Sequence, residues 1–243
     1  MLLALASARF PTLAQRLYHY FREFRLDGTC ERMHQAIRER VRVRLKRNPQ
    51  PGAGVVDSQS VKTTGVGGEE RGFDGAKKVK GRKRHLLVDT EGFVLRAKVH
   101  SAKVMDYEGI KTLLDRVKAL FPRLSHLWMD GGYKGEDKGG DWVEKTLGWR
   151  VEIVSRPRKP APEDVLMSWA REWAKEGVAL EWQKLLPQGF IVLPRRWVVQ
   201  RTFSWISQNR RMSKDYERLA ATSEAFIYVA MTRLMVRRLA RAQ

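Results

Sequence analysis

The stretch RHLLVDTEGFVLRAKVHS, residues 84–101, constrains this chain more than any other. Apolar residues flank Glu91-Gly92 on both sides, and that dipeptide is a turn signal standing where a hairpin needs one. Residues 84–90 and 93–101 therefore predict two antiparallel strands. A lone hairpin is marginal in water, so the chain must supply further strands and something to cover them. VVDSQSVK, 55–62, reads as a short strand, LSHLWMDGGY, 124–133, as another ended by a Gly-Gly turn, and WRVEIVS, 149–155, as a third. Between them DYEGIKTLLDRVKAL, 106–120, turns Ile110, Leu113, Leu114 and Val117 to one helical face, and a short helix fits 141–147. Strand, hairpin, helix, strand, helix, strand implies an α/β (α+β) domain with helices packed on a mixed sheet.

Helices bracket this core. Residues 12–46 read as two, the first with Leu13, Leu17, Tyr20, Phe21 and Phe24 at helical spacing and broken by Asp27-Gly28. Thr29 is expected to cap the second, which becomes strongly basic towards its end. NPQPGAG, 48–54, is the joint, so residues 1–50 form a helical basic N-terminal segment and 51–243 the main domain. A less regular insertion spans about 157–195, with a proline-rich turn, a helical DVLMSWAREWAKEG and a short strand FIVLP. After Pro194 the pattern returns to helix, and a long final helix runs from about 216 to 241. Its apolar face is read as Leu219, Phe226, Val229, Ala230 and Leu234, and its other face carries Arg233, Arg237 and Arg241.

Charge is the abnormal entry in the composition. Lys and Arg number 47 against 27 Asp and Glu, a formal net charge of +20. Self-repulsion on that scale points to a polyanionic partner, and a domain this basic is the usual footprint of a nucleic-acid binder. Cys30 is the one cysteine, which excludes an internal disulfide framework and a cysteine-rich zinc site. No apolar run approaches the roughly 18 residues of a membrane span. MLLALASARF lacks the charged start and cleavage site of a signal peptide, so the expected setting is cytoplasmic, with no membrane partner. The five histidines show no metal-ligand spacing, and no phosphate-cradling Gly-rich loop with Lys-Ser/Thr is present.

Two features carry chemistry. GAKKVKGRKRH, 75–85, crowds Lys77, Lys78, Lys80, Arg82, Lys83 and Arg84 together and is read as a phosphate-contacting loop. Asp57 lies in the first strand and Asp130 at the end of a later one. Either alone is an ordinary turn former; two carboxylates on neighbouring strand ends make a clamp for Mg²⁺. Ions so held activate a water or a 3′-hydroxyl and stabilise the leaving oxygen in phosphodiester cleavage.

The run VVDSQSVKTTGVGGEERGFDGAKKVKGRKRHLLVDT closely resembles the first half of the catalytic core of bacterial insertion-sequence transposases, the insertion-sequence-five family of the DDE class. VHSAKVMDYEG, LWMDGGYKG and LPRRWVVQRTFSWISQNRRMSKDYE continue the match in order, so it covers roughly residues 15–235. The resemblance implies an RNase H-like core with an Asp, Asp, Glu metal-binding triad. Asp57 matches the first acid and Asp130 the second. Gln200 stands where the family has Glu, so the third ligand is a neutral amide oxygen. Glu181 and Glu217 lie outside the matching segment. Arg196, one turn before Gln200, is expected on the same side and, with Arg201, Arg210 and Arg211, is a candidate for DNA backbone contacts.

Relatives carry some tens of residues before the YHYFREFRLDGT-like segment as part of a helical DNA-end-binding unit, which is shortened here. The implied function is a Mg²⁺-dependent transposase, with Mn²⁺ as a possible substitute, that cleaves element ends and joins the 3′-hydroxyl to target DNA. It would act on double-stranded DNA in the nucleoid as a homodimer holding two ends. Gln200 leaves a second reading, an inactive DNA-binding relative acting as a repressor or adopted module. A third, a basic RNA-binding protein, accounts for the charge but not for the paired acids.

Overall fold

The computed structural model describes residues 12–65, 68–154, 163–175 and 195–241. Its centre is β3 (Val79–Asp89), an eleven-residue strand. On one edge β3 pairs antiparallel with β1 (Ala53–Lys62), from Gly54 opposite Asp89 to Lys62 opposite Gly81. The other edge is shared end to end by β4 (Val94–Ser101) and the short β2 (Gly72–Asp74). Beyond β1 the sheet turns parallel, through β5 (His126–Asp130) to β6 (Arg150–Val154). Three antiparallel strands followed by two parallel ones, with helices on both faces, make an RNase H-like mixed sheet.

Strand period decides what each face buries. Val55, Leu86, Val88, Val94, Ala97 and Val99 point to the side covered by α7 (Arg196–Ser207) and α8 (Ala220–Arg241), where Val198, Val199, Phe203, Ile227 and Met231 meet them. Val56, Leu87, Leu95, Leu127 and Met129 point the other way, onto α3 (Asp106–Leu114), α4 (Val117–Leu120) and α5 (Gly139–Leu147). The Glu91-Gly92 hairpin turn is as expected, with Gly92 at φ +86°, a conformation that costs glycine nothing.

The N-terminal helices are α1 (Leu13–Leu26) and α2 (Thr29–Arg44). Val41 of α2 joins Phe93 and Met235 in a small third cluster, and Arg42 forms a buried ion pair with Asp89. α6 (Glu163–Lys175) falls within the segment expected to be helical. The strand expected at FIVLP, the proline-rich turn before Glu163 and Glu181 lie outside the described residues, wholly or nearly so.

Several sequence expectations need correction. The helix over 106–120 is two helices, because Arg116 adopts φ +57° between them; all four expected inward residues are nonetheless buried. Thr29 is the first helical residue rather than the cap: Gly28 at φ +76° holds the cap position, and Asp27 accepts the Thr29 N–H. The last helix starts at Ala220, and its inward line is Ser223, Ile227, Met231 and Met235. Val229 and Leu219 are exposed, while Phe226 and Leu234 pack at the margin of the core. The stripe on α1 is equally unlike a core face: Leu13, Leu17, Tyr20 and Phe24 are exposed, and Phe21 alone stacks, on Phe226.

The largest correction concerns the basic cluster. It is a loop only at its start; Lys80 to Arg84 lie within β3, and Arg82, Lys83 and Arg84 are buried. Arg82 donates to Asp215, to Glu69 O, to Glu217 O and to Arg218 O. Arg84 donates to Met212 O and Lys214 O, and Lys83 to Val104 O and the Asp106 carboxylate. These three cations hold the segment 212–218 and the entry to α3 against the sheet, and no charge is left over for a phosphate.

Candidate active site

β1 and β5 pair in parallel register, Val55 beside Trp128. Two residues further along each strand stand Asp57 and Asp130, so the two acids are level on adjoining strands, which lie about 4.8 Å apart. Period two puts Asp57 on the Val55 face and Asp130 on the Trp128 face, the side that α7 covers. Burial pushes the Asp57 carboxyl up to about 6, and Asp130 adds to the rise; the Ser58 N–H, Arg196 and Lys77 work against it. The two acids feel one another across the strand gap.

Asp130 ends β5 and accepts the Gly132 N–H at 2.9 Å, capping the single 3₁₀ turn Gly131–Tyr133 that replaces the expected Gly-Gly turn. Its other oxygen accepts from Arg196 Nη2 at 3.0 Å. Arg196 opens α7, and Gln200 lies one turn on, exposed, on the same helical flank. Among the described residues, no three or more His, Cys, Asp or Glu gather to hold a metal. The third position is an amide. Glu217, the acid considered in its place, forks onto Arg211 at 2.8 and 3.2 Å.

A polar layer lies beneath the two acids, and sequence reasoning missed it. Ser58 Oγ donates to Asp106 Oδ1 at 2.8 Å, and Lys77 Nζ reaches Ser58 at 3.4 Å. Burial works to raise the Asp106 carboxyl, but Lys83 and Ser58 outweigh it and hold it below its ordinary range. His85 Nδ1 and His100 Nε2 share a hydrogen bond of 2.7 Å beside it. Gly109 makes room: a methyl there would sit 2.5 Å from His85 Cε1 and 2.7 Å from His100 Nε2. Tyr133 closes the floor, with its hydroxyl buried and without a partner among the described residues.

The other expected contact residues are distributed around this centre. Lys77, Lys78 and Lys80 are exposed beside it, as is Arg210 at the far end of α7. Arg201 is stacked between Trp197 and Trp205, at 4.5 and 4.6 Å from their ring centroids, and donates to Glu91 O. Trp197, Arg201 and Trp205 stand at i, i+4 and i+8, a spacing legible in RWVVQRTFSW.

The donor set suits a hard divalent cation: two aligned carboxylates, one raised mainly by burial, and an amide oxygen on the facing helix. The RNase H-like sheet brings the two acids level on adjoining parallel strands, Asp57 in the middle of β1 and Asp130 at the end of β5. Residues 48–235 match the transposase DDE domain family, and the chain belongs to it. No match was found among curated proteins. Among solved structures the chain is similar to a protein in the crystal structure of the Mos1 strand transfer complex, with 16% identity and a TM-score of 0.25. That likeness covers 84% of this chain and 58% of the other, so the chain spans less than two thirds of that protein's length. No described helix is long and apolar enough to cross a membrane.

Proposed function

We propose that the chain is a DNA transposase of the insertion-sequence-five group, cleaving element ends and joining the 3′-hydroxyl to target DNA. The level placement of Asp57 within β1 and Asp130 at the end of β5 carries this reading. Asp57, Asp130 and the Gln200 amide oxygen would hold the divalent cation, Mg²⁺ or Mn²⁺. When bound, that ion activates a water or 3′-hydroxyl and stabilises charge on the phosphate oxygens.

The chain's own residues do the rest. The Ser58 N–H fixes one Asp57 oxygen at 2.7 Å, and the Gly132 N–H fixes one of Asp130, so both carboxylates are oriented before a ligand arrives. Arg196 neutralises Asp130 and, from the start of α7, could also meet a phosphate bound beside the two acids. Lys77, Lys78 and Lys80 line the approach and favour a DNA backbone. Residues 1–50 belong to the unit that binds element ends, 51–243 form the catalytic domain, and the active form is a homodimer holding two ends.

Gln200 and the Arg196–Asp130 contact favour a second reading, a DNA-binding relative without strand cleavage. A nicking assay on duplex DNA bearing the element's inverted repeats, in Mg²⁺ and in Mn²⁺, separates the two. Metal-dependent release of a 3′-hydroxyl that disappears in Asp57→Asn supports the transposase. Binding without cleavage in either metal, also after Gln200→Glu, supports the second.

A further inference from the structure

α8 carries Arg233, Arg237 and Arg241 at four-residue spacing along an exposed flank. Like charges one turn apart repel on a helix, so this row is held at a cost unless something anionic covers it. It borders a concavity of about 460 Å³ between the end of α7 and α8, floored by Trp205 and Leu234 and rimmed by Asn209. Among the described residues, no carboxylate lines this concavity. A merely solvated helix face would alternate Arg with Glu and would not surround a hollow.

The fourth guanidinium is fixed in place. Arg238 stacks on Trp205 at 4.4 Å and on Phe93 at 5.3 Å, and Arg201 stacks on the same Trp205 indole at 4.6 Å. Burial, and then Arg201, make Arg238 less ready than usual to keep its proton, with Glu91 and Asp89 working against them. A ladder Trp197, Arg201, Trp205, Arg238 thus runs along α7 from beside Gln200 into the hollow. From Gln200 to Asn209 it spans about 13 Å of helix at 1.5 Å per residue.

We propose that the hollow between α7 and α8 is a second phosphate-backbone site, gripping DNA a few nucleotides from the strand held at Asp57 and Asp130. The proposal takes its polyanion from the transposase reading but does not require the chain to cut. Planar guanidinia preset by stacking suit phosphate oxygens, and Asn209 Oδ1 accepts Arg233 Nη1 at 3.3 Å, which holds that guanidinium at the rim.

The test is fluorescence anisotropy of the full chain with a labelled 30-base-pair duplex across a salt series. Each phosphate contact contributes about 0.9 to the slope of log affinity against log salt. Arg233→Ala/Arg237→Ala/Arg241→Ala should lower that slope by about 2 to 3. The same three positions changed to Lys should keep it. Circular dichroism and the melting temperature show that the variants remain folded. An unchanged slope in the folded alanine variant overturns the site. A slope loss seen only with an RNA duplex overturns the choice of DNA. Because binding is read without added metal, failure of cleavage does not count against the groove.

Discussion

Arg196 Nη2 lies 3.0 Å from Asp130 Oδ2, so the first residue of α7 neutralises one of the two acids that the parallel strands bring level. That cation competes with any divalent ion for the same oxygen. At partial exposure the pair itself stabilises by no more than about 1 kcal/mol. Arg196→Ala should therefore change the metal-free melting temperature little and enlarge the rise produced by Mn²⁺. Differential scanning fluorimetry with and without metal checks this; a smaller metal-induced rise would mean that Arg196 helps rather than hinders the ion.

In the parent chain, metal at 100 times its dissociation constant should add about 2.7 kcal/mol of stability. Asp57→Asn and Asp130→Asn should each abolish most of it, since either removes a charge from a two-carboxylate set. Retention of the full rise in both variants would place the metal elsewhere.

Gln200→Glu should increase strand cleavage by at least tenfold, each 1.36 kcal/mol of transition-state stabilisation being one decade. Binding of DNA should stay within a factor of two or three. Parallel time courses on element-end DNA measure both, and an inert Glu variant that binds normally would move the defect away from α7.

Arg82 and Arg84 belong to the fold, and their loss should be read as instability. Arg82→Met strands the buried Asp215 without its cation and should cost about 3–5 kcal/mol. Arg84→Met orphans two carbonyls and should cost about 1–3 kcal/mol. Lys77→Ala/Lys78→Ala/Lys80→Ala should leave urea midpoints near the parent value while flattening the salt dependence of DNA binding. Comparable midpoints for all three proteins would refute the division.

His34 and His85 are buried and held down to about 3, by burial first and then by Arg38 and His100 respectively. The unfolded chain takes up these protons near 6.5, the folded chain not until about 3. Between those values the unfolded state binds more protons, so stability falls as pH falls, by up to about 1.4 kcal/mol per unit for each histidine. His34→Phe keeps the ring packed against Tyr228 and should make melting temperatures less sensitive between pH 7 and 5. An unaltered pH dependence would exclude His34 from the effect.

The hairpin, the succession of strands and helices from residue 79 onward and the two acids' places on strands are legible in the sequence because period-two patterning and turn residues are local signals. Arg82, Lys83 and Arg84 were not, since a run of cations reads as solvent-facing until its partners are known. Most partners of Arg82 and both of Arg84, namely Asp215 and carbonyls between residues 212 and 218, are more than 120 residues away, while Lys83 turns to Val104 O and Asp106. The Ser58–Asp106 bond was missed for the same reason: DYEG announces a helix start, and nothing near it in sequence shows that the helix begins against β1. Phe24 and its neighbours mislead in the opposite sense, having helical spacing on a face that no described residue covers.

The clasp between Arg82 and the segment 215–218 also sets a timetable for synthesis. Arg82 bonds to residues 133–136 positions downstream. At roughly 5–20 residues per second, the ribosome delivers those partners on the order of ten seconds after β3 has emerged. Through that interval Arg84 lacks both of its acceptors and Arg82 has only Glu69 O, so packing on that side of the central strand must wait. A nonsense mutation just before Asp215 would make that wait permanent, leaving a nascent chain for proteases rather than a shortened enzyme.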